Sequence, residues 1–262
     1  MLTSGDAPSD PPAPSDLPPT PPEATVAPGP PPMSRGRAVA EAVLCSSYPT
    51  QIVAAAMLAT AGLAGTSGNG TINPTFLIAV SLLDATLVVA LIVYLLRRRG
   101  ESVAAVMLGT ASWGREAIVG AALVLPVTFG VAALVVTVRA LWPSLQNVPV
   151  NPMTALMADP DRVVMFAVVV VFAGGVREEM QRAFQLHRLA PAVVPGGTAL
   201  LLTSITFGLG HTLQGYDVAI ATFGLGLLWG AMWLRRRSIV APAVCHALFN
   251  LTQVWAASQV QP

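Results

Sequence analysis

Charge is what this sequence has least of. Only 10% of its 262 residues are Asp, Glu, Lys or Arg, against about 25% in a soluble domain. With 54% hydrophobic residues and a mean hydropathy of +0.66, the chain reads as all-α, a polytopic transmembrane helix bundle whose first partner is the lipid bilayer. A net charge of +1 makes no basic field, which argues against a nucleic-acid partner. Cysteine is scarce too. Cys45 and Cys245 each lie in an apolar segment, where a small buried side chain is the expected role rather than a disulfide or a cysteine-based zinc cluster. There is no fixed-period repeat and no His-Glu-x-x-His pair. Residues 1–34 show no basic start followed by an apolar stretch, so no signal peptide is expected there.

Proline, by contrast, is concentrated in those first 34 residues, in runs such as Leu17-Pro18-Pro19-Thr20-Pro21-Pro22. So little apolar surface cannot offset ordering entropy, and a disordered cytoplasmic tail is expected. Residues 35–160 then read as N-terminal transmembrane helices and 161–262 as a second, chemistry-bearing helix core. Apolar runs predict about seven spans, at 42–64, 74–96, 118–141, from 161 onward, 198–211, 218–234 and 239–257. A short interfacial helix is expected within 101–115, a kink at Pro126 and a turn over 191–197. Arg35 and Arg37, Arg97 to Arg99, Arg188 and Arg235 to Arg237 stand at segment ends. They share one face if the N-terminus is cytoplasmic, which predicts a multi-pass protein of the cell membrane in that orientation. Asp84, inside the second span, reads as a buried, partnered or protonated residue.

The informative stretch is Gly174-Gly175-Val176-Arg177-Glu178-Glu179-Met180-Gln181-Arg182, which follows a wholly apolar run without a break. Charges at the inner end of such a run cost several kcal/mol each unless paired or hydrated, so a functional site is the default reading. Arg182 stands at i+4 from Glu178 and i+3 from Glu179 and can pair with either. His211 and His246 follow on later segments. Glu178 and His211 are equally far along the chain from the 191–197 turn, on the order of 20–25 Å at about 1.5 Å per residue. His246 lies about 14 Å from the arginine end of the last segment. The three are therefore expected to converge in the cytoplasmic half of the bundle, while His187 reads as interfacial. A carboxylate and two imidazoles can polarise a water as general bases. They are equally the ligand set of a catalytic zinc site with an open position, so Glu178, His211 and His246 are candidate Zn2+ ligands. Zinc needs donors about 2.0–2.2 Å from one point. Water activation needs only hydrogen-bond reach, and that looser demand on three separate helices favours optional metal.

Glu178-Glu179 followed by Arg182, then Phe207-x-x-x-His211, then His246-x-x-x-Asn250, resemble the motifs of the CPBP family, which contains the type II CAAX prenyl endopeptidases and bacterial bacteriocin-processing or immunity proteins. The resemblance covers about 161–257. It implies an intramembrane endopeptidase acting on a peptide or protein in or at the membrane, with Glu178 as the base, alone or together with His211. It also implies His246 and Asn250 as oxyanion donors, and Glu179 and Arg182 as the groups that hold the geometry. The family pattern has three residues between the second Glu and the Arg and a Gly after it. Here only Met180 and Gln181 intervene and Ala183 follows, so helical phase is expected to set Arg182 above Glu178 rather than Glu179. Two other readings are a non-catalytic scaffold or immunity protein that keeps the pocket for binding, and a proton-coupled transporter with Asp84, Glu178 and His211 as a relay. The absence of inverted repeats weighs against the transporter.

Overall fold

The computed structural model describes residues 32–67, 72–149, 153 and 160–259. The expected tail, up to residue 31, and most of 150–159 lie outside the described residues. Ten α-helices build the described part, and these residues lie in one compact unit.

Helix α1 (Arg35–Leu44) starts at Ser34, whose hydroxyl accepts from the Arg37 N–H. Helix α2 (Tyr48–Thr60) follows after only three residues. The single span expected over 42–64 is thus two helices, and the break has a tertiary cause. Ser47 sits in the left-handed region at φ 69°, and its hydroxyl is bonded to Arg177 and Gln181 on a distant helix. Such a conformation persists when surrounding contacts over-determine it, and Pro49 in the first turn of α2 is its local mark.

Helix α3 (Pro74–Arg98) has Pro in its first turn and an Asn73 side chain accepting from Thr75 and Phe76 N–H. Gly100, at φ +72°, ends it and turns the chain into the five-residue α4 (Val103–Met107), capped by Ser102. Helix α5 (Trp113–Leu141) contains Pro126. Residues 160–192 run as one helical rod: α6 (Pro160–Val169), a wider π-helical stretch (Val170–Arg177) and α7 (Glu178–Ala192). The turn expected over 191–197 narrows to 193–195, because α7 continues through Pro191. Helix α8 (Gly196–Leu209) ends two residues before His211, so that histidine sits just past the helix rather than inside the span. Helices α9 (Tyr216–Arg236) and α10 (Val240–Gln259) complete the bundle.

Among the described residues four helical stretches are long and apolar enough to cross a membrane: 35–60, α3, α5 and α9. The 160–192 rod has the length but carries Arg177, Glu178, Glu179 and Arg182, and α8 is apolar but has only 14 residues. The arginine-bearing helix ends meet at one end of the bundle. There Ile239 N–H bonds Met107 C=O, Arg236 forms a two-pronged pair with Glu116, and Arg188 reaches both Glu41 and Glu101.

Two glycines set how closely the rod meets α10. A Cβ on Gly174 would lie 2.5 Å from Asn250 Nδ2, and one on Gly175 would lie 2.6 Å from the Ala247 Cβ. Small residues that let backbones approach are the main way helices pack inside a bilayer. Here they press His246 and Asn250, one turn apart on α10, against the segment that carries Glu178.

Candidate active site

The charges of the rod are paired, and the pairing is uneven. Glu179 is almost fully buried. One of its oxygens accepts from Arg182 Nη1 and lies 2.8 Å from His246 Nδ1. The expectation that Arg182 would stand over Glu178 is therefore corrected: it pairs with Glu179, at i+3. The reason is tertiary. The Arg182 guanidinium lies over the ring of Phe207 at 4.4 Å and near that of Trp229 at 5.6 Å, which draws it into the bundle.

Glu178 points elsewhere. Its side chain is 17% exposed against 1% for Glu179, and it lines a cavity of about 870 Å³. One of its oxygens lies 3.7 Å from Arg177 Nη1 and the other 3.7 Å from His246 Nε2. Arg177 is itself occupied. It donates to Ser47 Oγ at 2.9 Å and to Gln181 Oε1 at 3.1 Å, and lies 3.3 Å from Asp84 Oδ2. Asp84 has no exposed surface and accepts from Thr50 Oγ1 at 2.5 Å. Three carboxylates thus face two arginines. Asp84 and Glu179 each take one, and Glu178, the carboxylate at the cavity, has none of its own.

The imidazole of His246 stacks on Trp229 with ring centroids 3.8 Å apart and planes 18° from parallel, so both ring nitrogens are aimed along the row Glu179–His246–Glu178. His211 bonds the Phe207 carbonyl through Nδ1 at 2.9 Å. A carbonyl only accepts, so Nδ1 carries the hydrogen and Nε2 keeps its lone pair. The Phe207 ring stands between the two histidines, edge-on at 5.0 Å to His211 and 6.3 Å to His246. Asn250 Nδ2 reaches the Val170 carbonyl at 3.5 Å. Glu178, Arg182, His211, His246 and Asn250 all line the one cavity, and Glu179 stands behind it.

A zinc ion would need Glu178, His211 and His246 donors around one point. Among the described residues no group of three His, Cys, Asp or Glu side chains is placed to hold a metal. His246 commits Nδ1 to Glu179, and its Nε2 lies 3.7 Å from Glu178, inside ion-pair range and longer than a hydrogen bond. The residues as placed do not form the zinc set, and no step below runs through an ion.

Sequence reasoning passes over Ser47, Gln181 and Trp229. Only Gln181 carried a signal, its i+4 spacing from Arg177. It also reads Arg188 as a segment-end charge and His187 as interfacial. Arg188 is in fact buried. It bonds Glu41 at 2.7 Å and Glu101 at 2.6 Å, while His187 lies 3.1 Å from the same Glu101 oxygen. Burial alone would raise the Glu101 carboxyl, but the bonds from Arg188 and Arg99 outweigh it and hold the group below the usual carboxylate range.

Helical fold and apolar spans are those of a membrane helix bundle, and an acid–histidine cluster lines its cavity. Residues 160–252 match the family model of the Rce1-like type II CAAX prenyl endopeptidases. That segment holds every motif residue named above, and over it the resemblance read from the motifs is borne out. The family is one of proteases, so a membrane-associated peptide or protein is the coarse substrate class. No curated protein matches the chain, and no solved structure does.

Proposed function

We infer that this protein is an intramembrane endopeptidase in which Glu178 is the general base. The observation that carries this is the uneven pairing: of three clustered carboxylates, the one without its own arginine is the one on the cavity wall, facing His246 Nε2. Glu178 takes a proton from a water in the cavity, and the water oxygen attacks the peptide carbonyl. The C–N bond then breaks and the proton passes to the leaving amine, giving one acid and one amine for each water consumed. His211, with Nε2 free to accept, is the second group that can orient the water. Asn250 supplies a donor for the oxyanion, and His246 does so as the imidazolium, with Nδ1–H on Glu179 and Nε2–H free; preorganised donors of that kind are the largest usual catalytic term. Glu179 and Arg182 hold His246 from behind. The catalytic core is 161–262, supported by the helices of 35–160. The arginine-bearing ends face the cytoplasm of a cell-membrane protein.

Glu178→Gln tests the reading. The full chain, in lipid nanodiscs, is given a C-terminal CAAX peptide with and without a prenyl group on its cysteine. The substitution should lower the cleavage rate by about 10²–10⁴, the worth of a positioned base, with the thermal midpoint unchanged. Cleavage of both peptides at the original rate in Glu178→Gln would sink the mechanism. Cleavage of neither by the unaltered chain would favour a binding role for the cavity.

A further inference from the structure

The helices outside the matched segment line part of the cavity and hold one member of its charge cluster, Arg177. Arg177 precedes the two glutamates, and at 7% exposure it is buried. Its guanidinium is gripped by side chains of the first three helices. Ser47, at the α1–α2 break, and Asp84, in the middle of α3, both meet it. Ser47 also donates to Gln181 Oε1 at 2.8 Å, which closes a ring of three bonded side chains with Arg177. Asp84 is held in its turn by Thr50 of α2. Ser47, Thr50 and Asp84 come from the first 84 residues, outside the 160–252 match.

Each carboxylate oxygen of Glu178 therefore has one neighbour, Arg177 on one side and His246 on the other, both at 3.7 Å. That distance is inside ion-pair range and longer than a hydrogen bond. A full Arg177–Glu178 pair would occupy the base. The anchoring of Arg177 by Asp84 and Ser47 keeps it short of that, close enough to bias where the carboxylate lies and too well held to capture it.

We propose that Arg177, anchored by Asp84 and Ser47, is a positioning residue that fixes the Glu178 carboxylate toward the cavity, so that α1 to α3 complete the active site of the matched segment. The catalytic part of this rests on the endopeptidase reading. The placement of the charge beside position 178 does not.

The test has two arms on the full chain in nanodiscs. In the first, Glu178→Cys is made with Cys45 and Cys245 replaced by alanine. Position 178 is then modified with an anionic and a cationic methanethiosulfonate, and the ratio of the two rates is read by mass spectrometry. A guanidinium beside the thiol favours the anionic reagent, and adding Arg177→Gln should lower the ratio by roughly tenfold. An unchanged ratio overturns the proposal whether or not the protein cleaves peptides. In the second arm, the cleaved peptide is assayed with Arg177→Gln and Arg177→Lys. Arg177→Gln should lower kcat by at least roughly tenfold with KM within about twofold, and Arg177→Lys should regain most of the loss. Wild-type kcat in Arg177→Gln overturns the proposal, and so does a loss of kcat that Arg177→Lys does not relieve at equal thermal midpoint. If the unaltered chain cleaves nothing, the endopeptidase reading fails and the first arm still decides where Arg177 acts.

Discussion

Helix α7 carries two buried charge clusters a few turns apart, and they are built to opposite rules. At its start, Asp84, Glu178 and Glu179 meet Arg177 and Arg182, one acid more than the arginines can match. At its other end, Glu41 and Glu101 meet Arg37, Arg99 and Arg188, one arginine more than the acids. The second cluster gives every carboxylate two arginines, and it seals the arginine end of the bundle. The first borders a cavity and leaves one carboxylate with only loose neighbours. Burial and ion pairing are common to both and distinguish neither. What sets the first apart is the unmatched acid, together with a space into which it can reach.

The contrast can be broken most severely at its arginines. Arg182→Ala leaves Glu179 buried with only His246 beside it, which should cost about 3–5 kcal/mol, the usual loss when one partner of a buried pair is removed. Arg188→Ala leaves Glu41 with Arg37 and Glu101 with Arg99, and should cost roughly 1–3 kcal/mol. Unfolding of the two variants in the same detergent measures the difference, and equal losses would mean that the two clusters are alike in kind.

Acid sharpens the comparison with a smaller effect. The Glu101 carboxyl titrates below its unfolded value of about 4.3. A depressed carboxyl contributes stability that is complete above the unfolded pKa and lost as the pH falls through the lower folded one. The thermal midpoint should therefore start to lose this contribution only below about pH 4. Glu101→Gln should remove that part of the slope, a change of roughly 1 kcal/mol or less. A slope identical in Glu101→Gln would assign the acid sensitivity elsewhere.

The smallest effect is expected from metal removal. Because Glu178, His211 and His246 do not surround one point, cleavage by protein shown by elemental analysis to be free of zinc should stay within about twofold of the untreated rate. Loss on chelation with recovery on adding zinc would put an ion between Glu178 and the histidines and overturn the metal-free route.

Much of the fold was legible because bilayer helices announce themselves by length and apolarity. The spans read at 74–96, 218–234 and 239–257 start and end within about two residues of α3, α9 and α10. The charged stretch at 177–182 stood out for the converse reason. What stayed hidden came from elsewhere in the chain. The break at Ser47 depends on Arg177, some 130 residues away, and the choice of Glu179 by Arg182 depends on the rings of Phe207 and Trp229. Helical phase alone ranks i+3 and i+4 partners nearly equally, so only packing decides between them. Arg188 misled for a similar reason: at a segment end, a buried arginine and a topology signal look the same until Glu41 arrives beside it.

The long sequence separation inside these pairs has a consequence for how the protein is made. Glu41, Asp84 and Glu101 all leave the ribosome before Arg177 and Arg188 exist. Asp84 precedes Arg177 by roughly ninety residues, and at ~5–20 residues per second that is a wait on the order of 5–20 s. For that interval Glu41 and Glu101 have Arg37 and Arg99 beside them, whereas the local relief of Asp84 is a hydroxyl such as Thr50, or water. The acid partners are delivered first and the arginines of the rod close onto them, so the early helices reach their final pairing only after the helix bearing Glu178 and Glu179 has been made.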